Sequence, residues 1–375
     1  MLKIERVSIS QLKLIYILNK IKILAIGLIV VLIGFVACKK VKLQDSITST
    51  NSEFTFKITS EINYSDITIK TKGFKGENGS VKILAFKDMN SFKATLSELE
   101  RQTKEYNSAF VSLYSNLDDE DLNAKEEEIG FDDEKPLSDF EHHFNFISLR
   151  NKIVNEEEEW LNHEVLDENN DPTDQFDFLF NEEMTLLNRD AEVIIGGSVF
   201  KLVNNGYYEI FDGDIQTLSS LENISSNDVL PENVLFVDGN SNCSSCKSGG
   251  CNSNKRNSGK KNSGSYRIKW VVSHWTNPWE RRVAAKTKNY KKRGWRWKKY
   301  TTYCKARVYG SISDLSNNAN CSKQLVFNIA NGYYAEDVEK KVKHKITVQT
   351  KSKSGWVKGY FYGAGGISHN KTLTW

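Results

Sequence analysis

The charges of this chain are sorted along its length. Residues 41–250 carry 17 basic and 42 acidic side chains, a net of −25, whereas residues 251–375 carry 27 basic and 5 acidic, a net of +22. Over all 375 residues the balance is only +3. An ionised group taken out of water without a partner costs several kcal/mol, so each part must either keep its charges wet or find the opposite sign elsewhere. So sharp a division reads as two domains of opposite character. At about 150 residues per domain the length allows two.

The boundary falls in Gly239 to Ser265, where 19 of 27 residues are Ser, Asn or Gly and none is aliphatic or aromatic. Nothing there can build a core, which predicts a flexible linker over 226–265.

The N-terminus has its own signature. Lys3, Arg6, Lys13, Lys20 and Lys22 precede the uncharged run Ile23 to Cys38, which is followed by Lys39 and Lys40. Sixteen residues rise about 24 Å as a helix, short of the roughly 30 Å hydrocarbon layer. A basic stretch, an apolar stretch and a small residue at the break form the pattern of an export signal. Phe35-Val36-Ala37-Cys38 resembles a bacterial lipobox, and that resemblance implies cleavage after residue 37 and acylation of Cys38. Residues 38–52, rich in Ser and Thr, then read as a tether from the bilayer. Lys39 is not the aspartate that commonly retains lipoproteins in the inner membrane, so the expected location is the outer membrane, with the face open.

Residues 53–225 read as an acidic α+β domain. Val81 to Phe86 is an apolar run suited to a strand. Asp88 or Asn90 can cap a helix in which Phe92, Leu96, Leu99, Tyr106, Phe110 and Leu113 recur at helical spacing. A second helix is predicted from Leu137 to Leu161, with Phe140, Phe144, Ile147, Val154 and Leu161 on one face. Gly196-Gly197 and Asn204-Asn205-Gly206 are hairpin signals. Ser148-Leu149-Arg150, Glu159-Trp160-Leu161, Leu186-Leu187-Asn188 and Ala191 to Gly197 (AEVIIGG) resemble motifs of a family of uncharacterised Bacteroidetes-type lipoproteins, over roughly residues 80–215. The resemblance implies an envelope location and brings no reaction with it.

Residues 266–375 read as a basic, aromatic-rich all-β domain, a sandwich or open barrel. Strands are predicted over Tyr266–Trp275, Arg281–Tyr290, Trp295–Tyr309, Gln324–Ile329, Lys343–Thr350 and Trp356–Tyr362. Within it, Lys291, Lys292, Arg293, Trp295, Arg296, Trp297, Lys298 and Lys299 are the candidate anionic-ligand site. Gly294 can turn a hairpin that offers cations to phosphate, sulfate or uronate groups and rings to sugars or bases. The competing reading turns Trp295 and Trp297 inward and leaves the lysines as a solvated face. A flexible pair of oppositely charged domains would also attract one another, the acidic one covering the basic face.

Cys304 and Cys321 are a candidate disulfide in an oxidising compartment. Cys243, Cys246 and Cys251 are CxxCx4C without a nearby histidine as fourth zinc ligand, so no metal and no cofactor is expected. Asp167, Asn169 and Asp171 echo the start of a calcium loop, but Pro172 and Phe178 replace its glycine and glutamate. His142-His143 lack the spacing of HExxH, and GxSxG is absent. The resulting expectation is a lipid-anchored, non-catalytic binding or structural component that touches an anionic glycan or envelope surface, with nucleic acid disfavoured. The rival is an exported hydrolase of polysaccharide or peptide whose catalytic residues the sequence does not single out.

Overall fold

The computed structural model describes residues 56, 59–73, 80–163, 166–221, 229–238, 254–314, 323–344 and 352–374. The expected signal segment 1–37, Cys38, the tether, Cys243, Cys246, Cys251 and Cys321 lie outside them. Phe54–Trp375 form one compact unit. A few helices accompany three sheets, none of them a closed barrel. No described helix is long and apolar enough to cross a membrane.

The first sheet has the order β1 (Ile67–Gly73), β2 (Ser80–Phe86), β3 (Glu192–Ile195), β4 (Ser198–Val203), β5 (Gly206–Ile210) and β6 (Val234–Asp238). Only β2 and β3 run parallel, because the helices intervene between them. Gly196 and Gly197, at φ of 60° and 92°, make the tight β3–β4 turn that only glycine adopts freely. One face of this sheet buries Leu84, Phe86, Val193 and Ile195 against the helices. The other buries Ile83, Ile194, Val199 and Ile210 under the short α6 (Thr217–Leu221).

Helix α1 (Met89–Leu113) starts where Asp88 accepts the Ser91 amide at 2.8 Å. Its buried stripe holds Phe92, Leu96, Leu99, Tyr106 and Phe110, while Leu113 is exposed. Helix α2 (Asp119–Ile129) follows, capped by Asp118 with three acids in its first turn, where the helix dipole favours them. The long helix expected over Leu137–Leu161 is two helices, α3 (Lys135–Phe144) and α4 (Leu149–Leu161). Asn145 takes a left-handed conformation and Ser148 caps a fresh start, so Ile147 leaves the predicted stripe and is exposed. Side-chain periodicity survives such a break and conceals it. Helix α5 (Asn181–Leu186) precedes β3.

The basic segment contains two packed sheets. The first runs β10 (Arg296–Lys299), β9 (Arg281–Arg293), β8 (Tyr266–Thr276), β7 (Lys255–Ser263), with β13 (Asp337–His344) pairing the earlier half of β9. The second runs β12 (Lys323–Ala335), β11 (Thr302–Asp314), β14 (Ser352–Gly363), β15 (Ile367–Thr374). Between them lie Ile268, Trp270, Val272, Val283, Cys304, Val308 and Phe361.

Two differences from expectation matter. The stretch expected as linker contains β6 and β7. β7 has no aliphatic residue, but it is an edge strand whose nine residues all pair with β8, and edge strands tolerate lysines well. Gly259 lets it lie over Trp270, since a Cβ there would meet the indole at 2.8 Å. The acidic and basic segments also share one apolar core. Trp275 and Trp279, from β8 and the turn after it, pack among the acidic segment's residues, with Phe178 stacked on Trp275 at 3.8 Å and Phe92 4.9 Å from Trp279.

Candidate functional site

Strand alternation decides where the basic segment's charges go. On β8 and β9, Ile268, Trp270, Val272, Val283 and Ala285 face the second sheet. The other parity, Arg267, Lys269, Arg282, Lys286, Lys288 and Tyr290, faces the acidic segment. Arg282 makes a two-pronged bond to Glu183, Nη1 to Oε1 at 2.5 Å and Nη2 to Oε2 at 2.6 Å, with both side chains fully buried. Its Nη2 also donates to the Phe178 carbonyl, and Trp279 Nε1 donates to Glu183 at 2.7 Å. Burial alone would raise the Glu183 carboxyl; Arg282 instead holds it down to about 2. Lys269 and Lys260 reach Asp171 at 3.1 and 2.8 Å, and Tyr290 donates to Glu157 at 2.7 Å. Asp171 is thereby occupied by lysines, which removes the residue on which a calcium loop would have depended.

The candidate hairpin forms, with Gly294 at φ 64° and Arg293 paired to Arg296. Its cations are largely engaged within the chain. Lys291 pairs with Glu120, Arg293 and Lys298 lie 3.0 and 3.1 Å from Glu127 on α2, and Lys299 lies 3.8 Å from Glu336. Trp297 sits beneath the Arg267 guanidinium at 4.3 Å, and Trp295 is exposed with Arg296 over its ring. Neither tryptophan enters a hydrophobic core. Lys292 and Arg296 are exposed and make no ion pair among the described residues.

A second surface was not singled out from the sequence. The outer face of the β12–β11–β14–β15 sheet carries Tyr303, Lys305, Arg307 and Tyr309 on β11 and Trp356, Lys358, Tyr360 and Tyr362 on β14, opposite in parity to the buried Cys304, Val308, Val357 and Phe361. Tyr334 on β12 extends it. Ring centroids lie 5.8 Å apart for Tyr303–Tyr334, 6.3 Å for Tyr303–Tyr362 and 6.1 Å for Tyr309–Trp356. Arg307 and Lys358 flank Tyr309 at 5.2 and 5.8 Å. Among the described residues no ion pair engages Lys305, Arg307 or Lys358, and Arg307 donates only to Asn328, at 2.9 Å. The signal was present as parity in YCKARVY and WVKGYFY, but it requires knowing which parity is buried.

The third feature is a cleft of about 490 Å³ between α1, the segment before α3, α5 and the β12–β13 edge. Glu100, Asp133, Glu134, Glu182, Asp337 and Glu339 line it against Lys104, Lys340 and Lys341, with Tyr303, Tyr333 and Tyr334 at its side. Burial and then the nearby Glu100 push Glu182 up to about 7. Burial also raises Asp133 and Glu339, each reinforced by neighbouring carboxylates. Glu134 goes the other way: its burial is overcome by Lys299 and Arg150, which hold it near 2. These residues come from positions 100 to 341, so no local motif could have assembled them.

Of the remaining candidates, Cys304 is buried and its thiol is pushed up to about 12 by that burial; its proposed partner Cys321 lies outside the described residues. The His143 ring lies tilted against Tyr64, with centroids 4.1 Å apart. Among the described residues no three His, Cys, Asp or Glu side chains are placed so that they could hold one metal ion.

No protein-family model matches the chain, and no curated protein matches its sequence. Among solved structures it is similar to a DUF4848 family protein from Bacteroides thetaiotaomicron, at 11% identity and a TM-score of 0.18, over 78% of this chain and 97% of that one. This is a distant neighbour in structure.

Proposed function

We propose that this chain is a cell-envelope component, acylated at Cys38 and held at the outer membrane, whose basic β sheets bind an anionic glycan. Its acidic α+β half and basic β half act as one body. The observation that carries this reading is the outer face of the second basic sheet. Aromatic rings in edge-on and tilted contact alternate there with Lys305, Arg307 and Lys358, which pair with no carboxylate among the described residues. Guanidinium and ammonium groups recognise carboxylate or sulfate, and aromatic faces take sugar rings. The hairpin at 291–299 is a weaker candidate, because Glu120 and Glu127 already compete for it.

The test is binding of the chain to immobilised hyaluronan, heparin and polygalacturonate, with dextran as the uncharged comparison. Retention on the anionic glycans should fall steeply with salt, and Arg307→Ala should weaken it roughly tenfold, a loss of a charge-assisted contact. Equal retention on dextran, or indifference to Arg307→Ala, overturns the reading. Metabolic incorporation of labelled palmitate, lost in Cys38→Ala, tests the anchor.

The rival reading, an exported hydrolase, has one observation in its favour. Glu182 and Glu134 share the cleft while their surroundings drive their proton affinities apart, as an acid and a carboxylate in hydrolysis require. Release of reducing ends from any of these glycans, abolished by Glu182→Gln, would favour it.

A further inference from the structure

The outer sheet face and the cleft are not separate surfaces. Tyr303 and Tyr334 belong to both: they close the ring track of the sheet at one end and form the side of the cleft. A chain lying along Trp356, Tyr309, Tyr362 and Tyr303 therefore runs to the cleft mouth at β12.

The two surfaces differ in charge. The sheet face is cationic, whereas the cleft is lined by six carboxylates and three lysines. One of those lysines, Lys341, is already paired with Glu100. The neutral polar lining supplies hydroxyls and amides, among them Thr103, Asn107, Ser108, Asn181 and Asn331. Its volume falls within the roughly 300–1,000 Å³ typical of small-molecule sites. Six carboxylates face three lysines there, and burial together with the neighbouring carboxylates raises Glu182 and Glu339, so a further anion is disfavoured. Hydroxyl, amide and ammonium donors meet acceptors instead.

We propose that the cleft is the terminal subsite of the glycan surface, and that it accepts a chain end presenting hydroxyl, amide or amine groups in preference to one presenting carboxylate or sulfate. The proposal rests on the glycan reading above and adds to it the identity of the end unit. Specificity of this kind comes as much from rejecting the charged end as from contacts to the neutral one.

Hyaluronan heptasaccharides provide the probe, since they can be prepared with N-acetylglucosamine at both ends or with glucuronate at both ends. The second carries one carboxylate more, so the cationic sheet face by itself favours it. We expect the N-acetylglucosamine-ended heptamer to bind the full chain about tenfold more tightly at equal ionic strength. Ser108 is exposed on α1 at the cleft wall, and Ser108→Trp should fill the cleft and remove that preference. Arg307→Ala should weaken both heptamers alike. Equal or tighter binding of the glucuronate-ended heptamer, or a preference that survives Ser108→Trp, refutes the subsite while leaving the glycan reading standing. Failure of both heptamers to bind removes the glycan reading and the subsite together.

Discussion

The guanidinium of Arg282 and the carboxylate of Glu183 meet in a two-pronged ion pair with no solvent exposure, 99 residues apart in sequence and on opposite sides of the charge boundary. Glu183 also accepts the Phe180 amide at 2.9 Å at the start of α5, so one side chain starts a helix and joins it to β9. Arg282 lies 4.2 Å over the Phe180 ring. At this pair the two segments meet in a dry, hydrogen-bonded contact.

Removing Arg282 leaves Glu183 and Glu280 buried without the guanidinium they share, and removing Glu183 leaves Arg282 with Glu280 alone. Arg282→Ala or Glu183→Ala should therefore cost about 3–5 kcal/mol in chemical denaturation. The double variant Arg282→Met with Glu183→Leu should recover part of the loss, because of the three clustered charges only Glu280 then remains. A double variant as unstable as the sum of the single changes would contradict this account.

The surface pairs on α2 should behave differently. Glu120→Gln and Glu127→Gln are each expected to lower stability by only about 0.2–1 kcal/mol, since both carboxylates are half exposed and screened by water. They should, however, strengthen retention on heparin by freeing Lys291, Arg293 and Lys298. A denaturation midpoint that collapses in either variant would place these residues among the structural pairs instead.

A shared apolar core resists salt, whereas attraction between tethered bodies does not. The radius of gyration from small-angle scattering should stay constant for residues 54–375 between about 20 mM and 1 M salt, where the screening length falls to roughly 3 Å. Expansion at high salt would show that charge alone holds the segments together.

The pH dependence follows from carboxyls shifted in both directions. Burial lifts Glu182 to about 7 and Glu336, aided by Glu126 and Glu134, to about 8. A raised carboxyl contributes stability that is complete below its unfolded value of 4.5 and is lost as pH climbs through the folded value. Glu98, Glu134 and Glu183, held near 2, contribute above 4.5 and lose it as pH falls toward 2. The melting temperature should therefore peak between about pH 4.5 and 7 and decline toward pH 9, and Glu336→Gln should flatten that decline. A melting temperature that rises from pH 6 to 9 would reverse the sign and refute it.

Local structure was legible wherever it depended on local chemistry. The Asp88 cap, the stripe from Phe92 to Phe110, the glycine turns at 196–197 and 294 and most strands of the basic segment follow from capping, periodicity and turn preference. β7 was not legible. Its residues have no strand propensity, and what orders them is the neighbouring β8 together with Asp177, Glu168 and Asp171 receiving Arg256 and Lys260. The break at Asn145 was equally hidden, since Phe144 and Ile147 keep a helical i, i+3 apolar spacing across it.

From its letters alone this chain determined the segregation of charge, the basic-then-apolar start ending at Cys38, and the alternation that writes its strands, because each is a property of neighbours in sequence. Which parity of β8 and β9 would be dry, which cations would be consumed by Asp171, Glu157 and Glu183, and which, on the outer face of β11 and β14, would be left to meet a ligand were decided only in three dimensions. An alternating strand presents two faces of equal standing, and it is the layer packed against one of them that turns its charges inward and leaves the other to the solvent.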